Sequence, residues 1–373
     1  MVRWDVAVVG LGAMGSSAAW HLAGRGRRVV GLEQYEQGHD RGGSHGRSRI
    51  FRLAYDQDDY VRLAVASLPQ WRALEDEAGA QILECYGAID YGNDVVLSGI
   101  AAAMARNGMP VQLLSVADAA RRWGGIRFPG PVLYSADGGR TDADAAVLAL
   151  QQCAAARGAD LRFSTAVRSV TVRDDGVLLS TDAGDIEAAV AVVAVNAWLP
   201  KLLGGVVDLP PIRMTQEQPA FFAVADEAQA WPSFIHYVGQ YQTAAHFAAY
   251  GLPSPSEGGV KVGEHGTGVV VDPDGERPPP DPARLERVSQ YVAQHLPGLD
   301  PEPIAVSRCL YDMTADENFI VDRVGPLVIG GGFSGHGFKF VPEIGRLLAD
   351  LADGVDHDIA RFRFRFPGSS QEI

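Results

Sequence analysis

Asp5–Glu33 reads DVAVVGLGAMGSSAAWHLAGRGRRVVGLE. Val6 to Val9 is a short apolar run, suited to a strand buried on both faces. Gly10-x-Gly12-x-x-Gly15 follows directly. The small apolar residues Ser16 to Leu22 predict a helix that lies close to a sheet, ended by Gly24 and Gly26. Val29 to Leu32 predicts a second strand, with Glu33 at its C-terminal end. The three glycines serve different ends. Gly10 makes the tight turn, Gly12 lets backbone approach a pyrophosphate, and Gly15 lets helix pack on strand. The helix N-terminus offers N–H groups and partial positive charge to phosphates. Glu33 is placed to accept hydrogen bonds from an adenosine ribose, which favours FAD or NAD over NADP. The motif does not separate FAD from NAD.

The chain has 373 residues, room for two domains. It is 47% hydrophobic and 21% charged, a soluble globular balance. A net charge of −14 argues against nucleic acid as partner, though not against a small anion held by local cations. No run approaches the roughly 20 apolar residues of a membrane span. The first strand starts too near Met1 to leave room for a signal peptide, so the expectation is a cytoplasmic protein. Cys85, Cys153 and Cys309 fit neither a disulfide framework nor a metal site.

Beyond Glu33, the polar loop QYEQGHDRGGSHGRS (34–48) leads to a basic cluster: His45, Arg47, Arg49 and Arg52. Open α/β sheets bind ligands beyond the carboxyl ends of their strands, so this cluster is expected near a cofactor; a solvated basic loop is the alternative. Tyr60 to Glu77 reads as a helix with a kink or break at Pro69, and with Trp71 in the core. Strands follow over Ile82 to Gly92 and Val111 to Leu114, with a short helix between, then a helix over Val116 to Trp123. Thr141 is the expected N-cap of a helix reaching Arg157. A hairpin turns at Asp174-Asp175-Gly176, and Ile186 to Val195 is another buried strand. Pro210 to Ile304 is strand-rich, with an amphipathic helix from Ala283 to Leu296. Ile304 to Tyr311 reads as one strand bearing Cys309. The glycine-dense loop from Gly330 to Phe340 leads into a helix over Pro342 to Leu351; such backbone forms a nest for negative charge.

RIFRLAY (49–55), KVGEH (261–265), CLY (309–311) and GFSGHGFKF (332–340) occur in that order. With the N-terminal fingerprint they resemble the monomeric sarcosine oxidase and N-methyltryptophan oxidase family of FAD-dependent amine oxidases, over nearly the whole chain. The resemblance implies an α/β (α+β overall) fold, with a Rossmann-type FAD-binding domain and a second, antiparallel-sheet substrate domain. The FAD-binding domain would be discontinuous (1–82, 141–208 and 305–373), and the substrate domain would comprise 83–140 and 209–304. It implies FAD attached through Cys309 to the flavin 8α-methyl carbon. From the residues alone, a lone cysteine reads as inert core. A hydride would pass from the carbon beside a secondary amine to flavin N5. The imine would hydrolyse, and O₂ would take the electrons to give H₂O₂.

By the same resemblance, Arg52, Lys339 and Tyr250 hold the substrate, the two cations gripping a carboxylate. Lys261 activates O₂, although the alternation in VKVGEH also permits an exposed strand lysine. His265, Arg49 and Tyr311 complete the catalytic set. The expected cofactor contacts are Gly10, Gly12, Ala13, Met14, Gly15 and Glu33 from the fingerprint. Ser44, His45, Arg47, Ser48 and Arg49 come from the loop, Val167 from the hairpin, and Cys309 from its strand. Gly332, Gly335, His336, Gly337, Phe338 and Lys339 come from the last loop. No metal is implied, and the partners are a small amine or amino acid and O₂, with no nucleic acid and no membrane, acting on a monomer.

Several positions depart from the family pattern: Arg47 replaces an acid, Gln57 a glutamate, Leu252 an aromatic and Asn196 a glycine. The stretch around His236 and His246 is longer. These changes fall around the substrate more than the flavin and point to an amine larger than sarcosine. A cyclic amino acid or imine oxidase, or a dehydrogenase acting on a pipecolate-like ring, is the alternative.

Overall fold

The computed structural model describes residues 3–109, 111–226, 228–238 and 249–364. The opening motif folds as β1 (Trp4–Val9), α1 (Ala13–Gly24) and β2 (Val29–Leu32). β1 and β2 are parallel and adjacent. Strand Asp160–Arg162 extends the sheet beyond β2, and Gly184–Val193 pairs with the other edge of β1. Leu327–Gly331 then adds in parallel to the second half of Gly184–Val193, so the sheet draws strands from both ends of the chain. The hairpin Val167–Arg173/Gly176–Thr181 joins the first half of that strand. Both faces are covered: Val6, Val8 and Val29 pack in one core, Ala7, Val9, Val30 and Leu32 in another. This is why the strands read as unbroken apolar runs.

The second large sheet is mixed, in the order Leu299–Val306, Ala220–Val224, Gly259–Gly263, Ala249–Ser254, Ser233–Tyr237, Ala88–Gly92, Val132–Ser135, Gln112–Leu114. Side chains alternate across it. Ile89, Tyr91, Phe234, Val260 and Val262 pack in one core with Val288 and Val292 of the helix Pro282–His295. Asp90, Ile235, Tyr237 and Lys261, at the intervening positions, fall on the opposite face. Leu252 and Tyr250 sit beside them on the neighbouring strand, so the sheet's period of two builds one wall of the site.

Several expectations are corrected. α1 begins at Ala13, three residues before Ser16. The helix Asp58–Ala78 runs unbroken through Pro69 and ends on Gly79, whose φ of 61° supplies the left-handed cap. The helix expected to be short spans Asp94–Arg106. Asp142, not Thr141, caps Ala143–Ala156, its carboxylate accepting from Ala145 N at 3.0 Å; Thr141 ends the strand Gly139–Thr141. The segment from Ile304 to Tyr311 is two strands, Leu299–Val306 and Cys309–Thr314, and Cys309 opens the second. His246 lies outside the described residues.

Candidate active site

The fingerprint turn is built for close approach. Gly10 has φ +90°, and a Cβ there would stand 2.7 Å from Ala194 O; a Cβ on Gly15 would stand 1.9 Å from Gly10 O. Gly12 caps α1 without a side-chain bond, and the first turn holds no acid, so the positive end of the helix is left for an anion. Ser44 Oγ accepts from Ala13 N at 3.1 Å and ties the loop to that turn. Glu33, 6% exposed, accepts from Leu11 N at 2.9 Å and Tyr35 N at 3.2 Å. A cavity of about 850 Å³ starts here, lined by Gly10, Gly12, Ala13, Met14, Glu33, Ser44, His45 and Val167 among others.

A second cavity of about 130 Å³ shares Ala13, Met14, Ser44, Asn196 and Phe333 with the first and continues it inward. Its walls include Ser48, Arg49, Arg52, Tyr250, Lys261, His265, Cys309, Tyr311, Gly335, His336, Gly337, Phe338 and Lys339. Three proposed cofactor contacts line neither cavity. Gly15 lies beneath the turn. Arg47 points outward and pairs with Asp142 at 3.2 Å. Gly332 (φ +63°) faces Thr314.

Each cation is fixed by backbone oxygens. Arg49 donates to Ser48 O, Gly43 O and His45 O at 2.9, 3.1 and 2.6 Å. Lys261, 7% exposed, reaches Ser48 O at 3.4 Å. Burial, with Arg49 nearby, lowers its pKa to about 8. Arg52 bonds Ala54 O and stacks over the Tyr55 ring at 4.1 Å. Lys339 donates to His336 O at 2.6 Å and stands 5.6 Å from the same ring. Burial and Arg52 push the Lys339 ammonium well below its usual range. Burial raises the hydroxyls of Tyr250 and Tyr311, which line the inner cavity together. Burial raises the Cys309 thiol, while Lys261 and Arg49 pull it the other way. His45 falls to about 4, from burial and Arg49.

The donor set fits a flavin dinucleotide. Backbone amides and an acid-free helix end face the outer cavity, cations line the inner one, and the buried His45 Nε2 of the outer cavity and Asn196 Oδ1 at the junction have no hydrogen-bond partner among the described residues. Sequence reasoning missed two supports. Trp71 Nε1 donates to Lys339 O at 3.0 Å and fixes that residue's backbone. Asp90 contacts Arg52, and its signal was a single acid inside the otherwise uncharged strand AIDYG.

A family model described as FAD dependent oxidoreductase matches residues 5–351. Human peroxisomal sarcosine oxidase is 34% identical over 388 residues, covering 98% of this chain and 96% of that protein. Monomeric sarcosine oxidase from a Bacillus species is 30% identical, covering 96% of each. Salmonella dublin N-methyl-L-tryptophan oxidase is 26% identical over 99% of this chain and 100% of that protein. The solved structure of NikD, an unusual amino acid oxidase essential for nikkomycin biosynthesis, superposes with a TM-score of 0.85 at 31% identity, covering 98% of both chains. The chain belongs to the FAD-dependent oxidoreductases and, within them, to the sarcosine oxidase family, which makes it a flavin-dependent amine oxidase. Among the described residues no helix is long and apolar enough to cross a membrane, and no group of side chains is arranged to hold a metal ion.

Proposed function

We propose that this protein oxidises the C–N bond of a secondary or N-methylated amino acid, as a cytoplasmic monomer, with O₂ as electron acceptor. The observation that carries this is one cavity with buried cations at two stations: Arg52 and Lys339 over Tyr55, and Lys261 beside Arg49. When bound, FAD supplies the hydride acceptor and delivers the electrons to O₂, yielding H₂O₂. Arg52 and Lys339 grip the carboxylate, and the Tyr250–Tyr311 pair presents hydroxyls to the amine end. Lys261, the group for O₂ activation, offers a positive charge to the oxygen anion formed there, where low dielectric magnifies it. His265 and Arg49 are assigned as polar neighbours of the reacting atoms. Cys309 links the cofactor. The two lobes meet at this cavity, with 1–82, 141–208 and 305–373 on the flavin side and 83–140 and 209–304 on the substrate side.

The test is anaerobic titration of the yellow holoenzyme with N-alkyl and cyclic amino acids, followed by admission of air. Bleaching by a secondary amino acid, then H₂O₂ release, is the expected result. Bleaching without O₂-dependent recovery would convert the reading to a dehydrogenase, and no bleaching by any of them would end it. Cys309→Ala should release all flavin on acid precipitation, where the wild type keeps it in the pellet.

A further inference from the structure

Asp90 is 2% exposed and lies on the cavity face of the strand Ala88–Gly92. Its Oδ1 accepts from the Tyr237 hydroxyl at 3.0 Å and from Arg52 Nη1 at 3.4 Å. The same Nη1 also serves Ala54 O, so this edge of the guanidinium is committed to the protein. Arg52 and Lys339 stand over one ring, Tyr55. Among the described residues Arg52 has an acid beside it, whereas Lys339 is held by a carbonyl oxygen. Asp56 also faces Arg52, but it is half-buried on the wall of a further cavity of about 40 Å³, which shares Arg52, His265 and His336 with the inner one and also carries Asp316 and Glu317. Charges nearer water are screened more strongly than a carboxylate at 2% exposure.

A buried carboxylate against the substrate-binding arginine is costly unless it is useful, because desolvation opposes it and an apolar residue would pack as well. What it changes is the charge that an incoming acid meets. At the Tyr55 station, protonated Lys339 and Arg52 against Asp90 leave a single positive charge, with Lys261 and Arg49 at the other station of the cavity. A ligand with one carboxylate neutralises that charge, and a ligand with two must bury an excess anion beside Asp90.

We propose that Asp90 is a specificity-determining residue that restricts the pocket to substrates with a single carboxylate and excludes dicarboxylic amino acids. It does so by repulsion rather than by contact with the favoured substrate, which is how many sites reject wrong ligands. The proposal rests on the assignment of Arg52 and Lys339 as the carboxylate grip.

The experiment compares acetate with malonate as probes of the holoenzyme, read as dissociation constants from perturbation of the flavin absorption band. The wild type should bind acetate more tightly than malonate. Asp90→Asn, which keeps the shape and an acceptor for Arg52, should improve malonate relative to acetate by about tenfold or more. Tyr237→Phe removes a hydrogen bond and keeps both charges, so its malonate-to-acetate ratio should stay within about twofold of the wild type. A merely structural role for Asp90 would weaken both anions together. An unchanged ratio in Asp90→Asn overturns the proposal. So does a wild type that binds malonate as tightly as acetate, a result available even if Asp90→Asn fails to fold. A wild type whose flavin band responds to neither anion removes the carboxylate grip itself, a different failure from an unchanged ratio.

Discussion

The two ends of the continuous cavity are made of different material. At the outer end the wall is backbone: a helix terminus, a loop pinned by Ser44, and glycines without room for a Cβ. At the inner end the wall is side chains gathered from stretches scattered along the whole chain, with cations held by carbonyl oxygens. A backbone site has a local signature and tolerates almost no substitution at its tightest points. A side-chain site has a scattered signature and can be retuned one charge at a time, which is what a protein needs where substrates differ and the cofactor does not.

The contrast breaks first if Gly15→Val is tolerated. With 1.9 Å between its Cβ and Gly10 O, the backbone has no slack, and the variant should lose flavin and several kcal/mol of stability, measured by flavin content and thermal melting. At the inner end, Lys261→Met should keep its fold and flavin but slow reoxidation by O₂ about a hundredfold or more, with a much smaller change in anaerobic reduction, as stopped flow would show. In the wild type the same step should slow as pH rises through about 8, where Lys261 loses its proton, and Lys261→Met should lack that inflection. Arg52→Ala should raise KM for carboxylated substrates about thirtyfold or more and also lower the melting temperature, because Asp90 is left buried without its cation. Comparison of amines with and without a carboxylate separates the two effects.

A last effect, on stability alone, lies in α1, away from the reacting end. Burial holds His21 to about 4 while its ring bonds Pro342 O at 2.9 Å. The folded state therefore keeps it neutral where the unfolded chain would protonate it. Its contribution is complete above about pH 6.5 and is lost as pH falls toward 4, worth up to about 3 kcal/mol. His21→Gln should flatten the melting-temperature profile across that window.

The same contrast explains what could be read from the chain. β1, α1 and β2 were legible because one contiguous motif carries turn, helix and strand requirements together. Asp142 in place of Thr141 and the unbroken helix at Pro69 were not, since capping is decided by backbone geometry one residue at a time and tertiary packing can hold a proline in a helix. Arg52, Lys261 and Lys339 were recognisable through short motifs, but nothing local could tell that Arg52 and Lys339 share the Tyr55 ring. Asp90 escaped notice because its meaning depends on an arginine 38 residues away. The split at Cys309 was hidden because Ser307 and Arg308 interrupt an otherwise strand-like run without a glycine or proline.

Strand Leu327–Gly331 completes the sheet that begins at Trp4, and the helix Val341–Ala352 packs so closely on α1 that a Cβ on Gly345 would meet Ser17. The sheet and the exposed side of α1 in the opening motif are therefore closed only by segments far along the chain. Contacts so distant along the chain make folding slow, and they leave the apolar strands of the opening motif uncovered in the meantime. Supplying riboflavin or a chaperone during expression should therefore raise the yield of yellow protein, read as flavin bound per mole of purified chain.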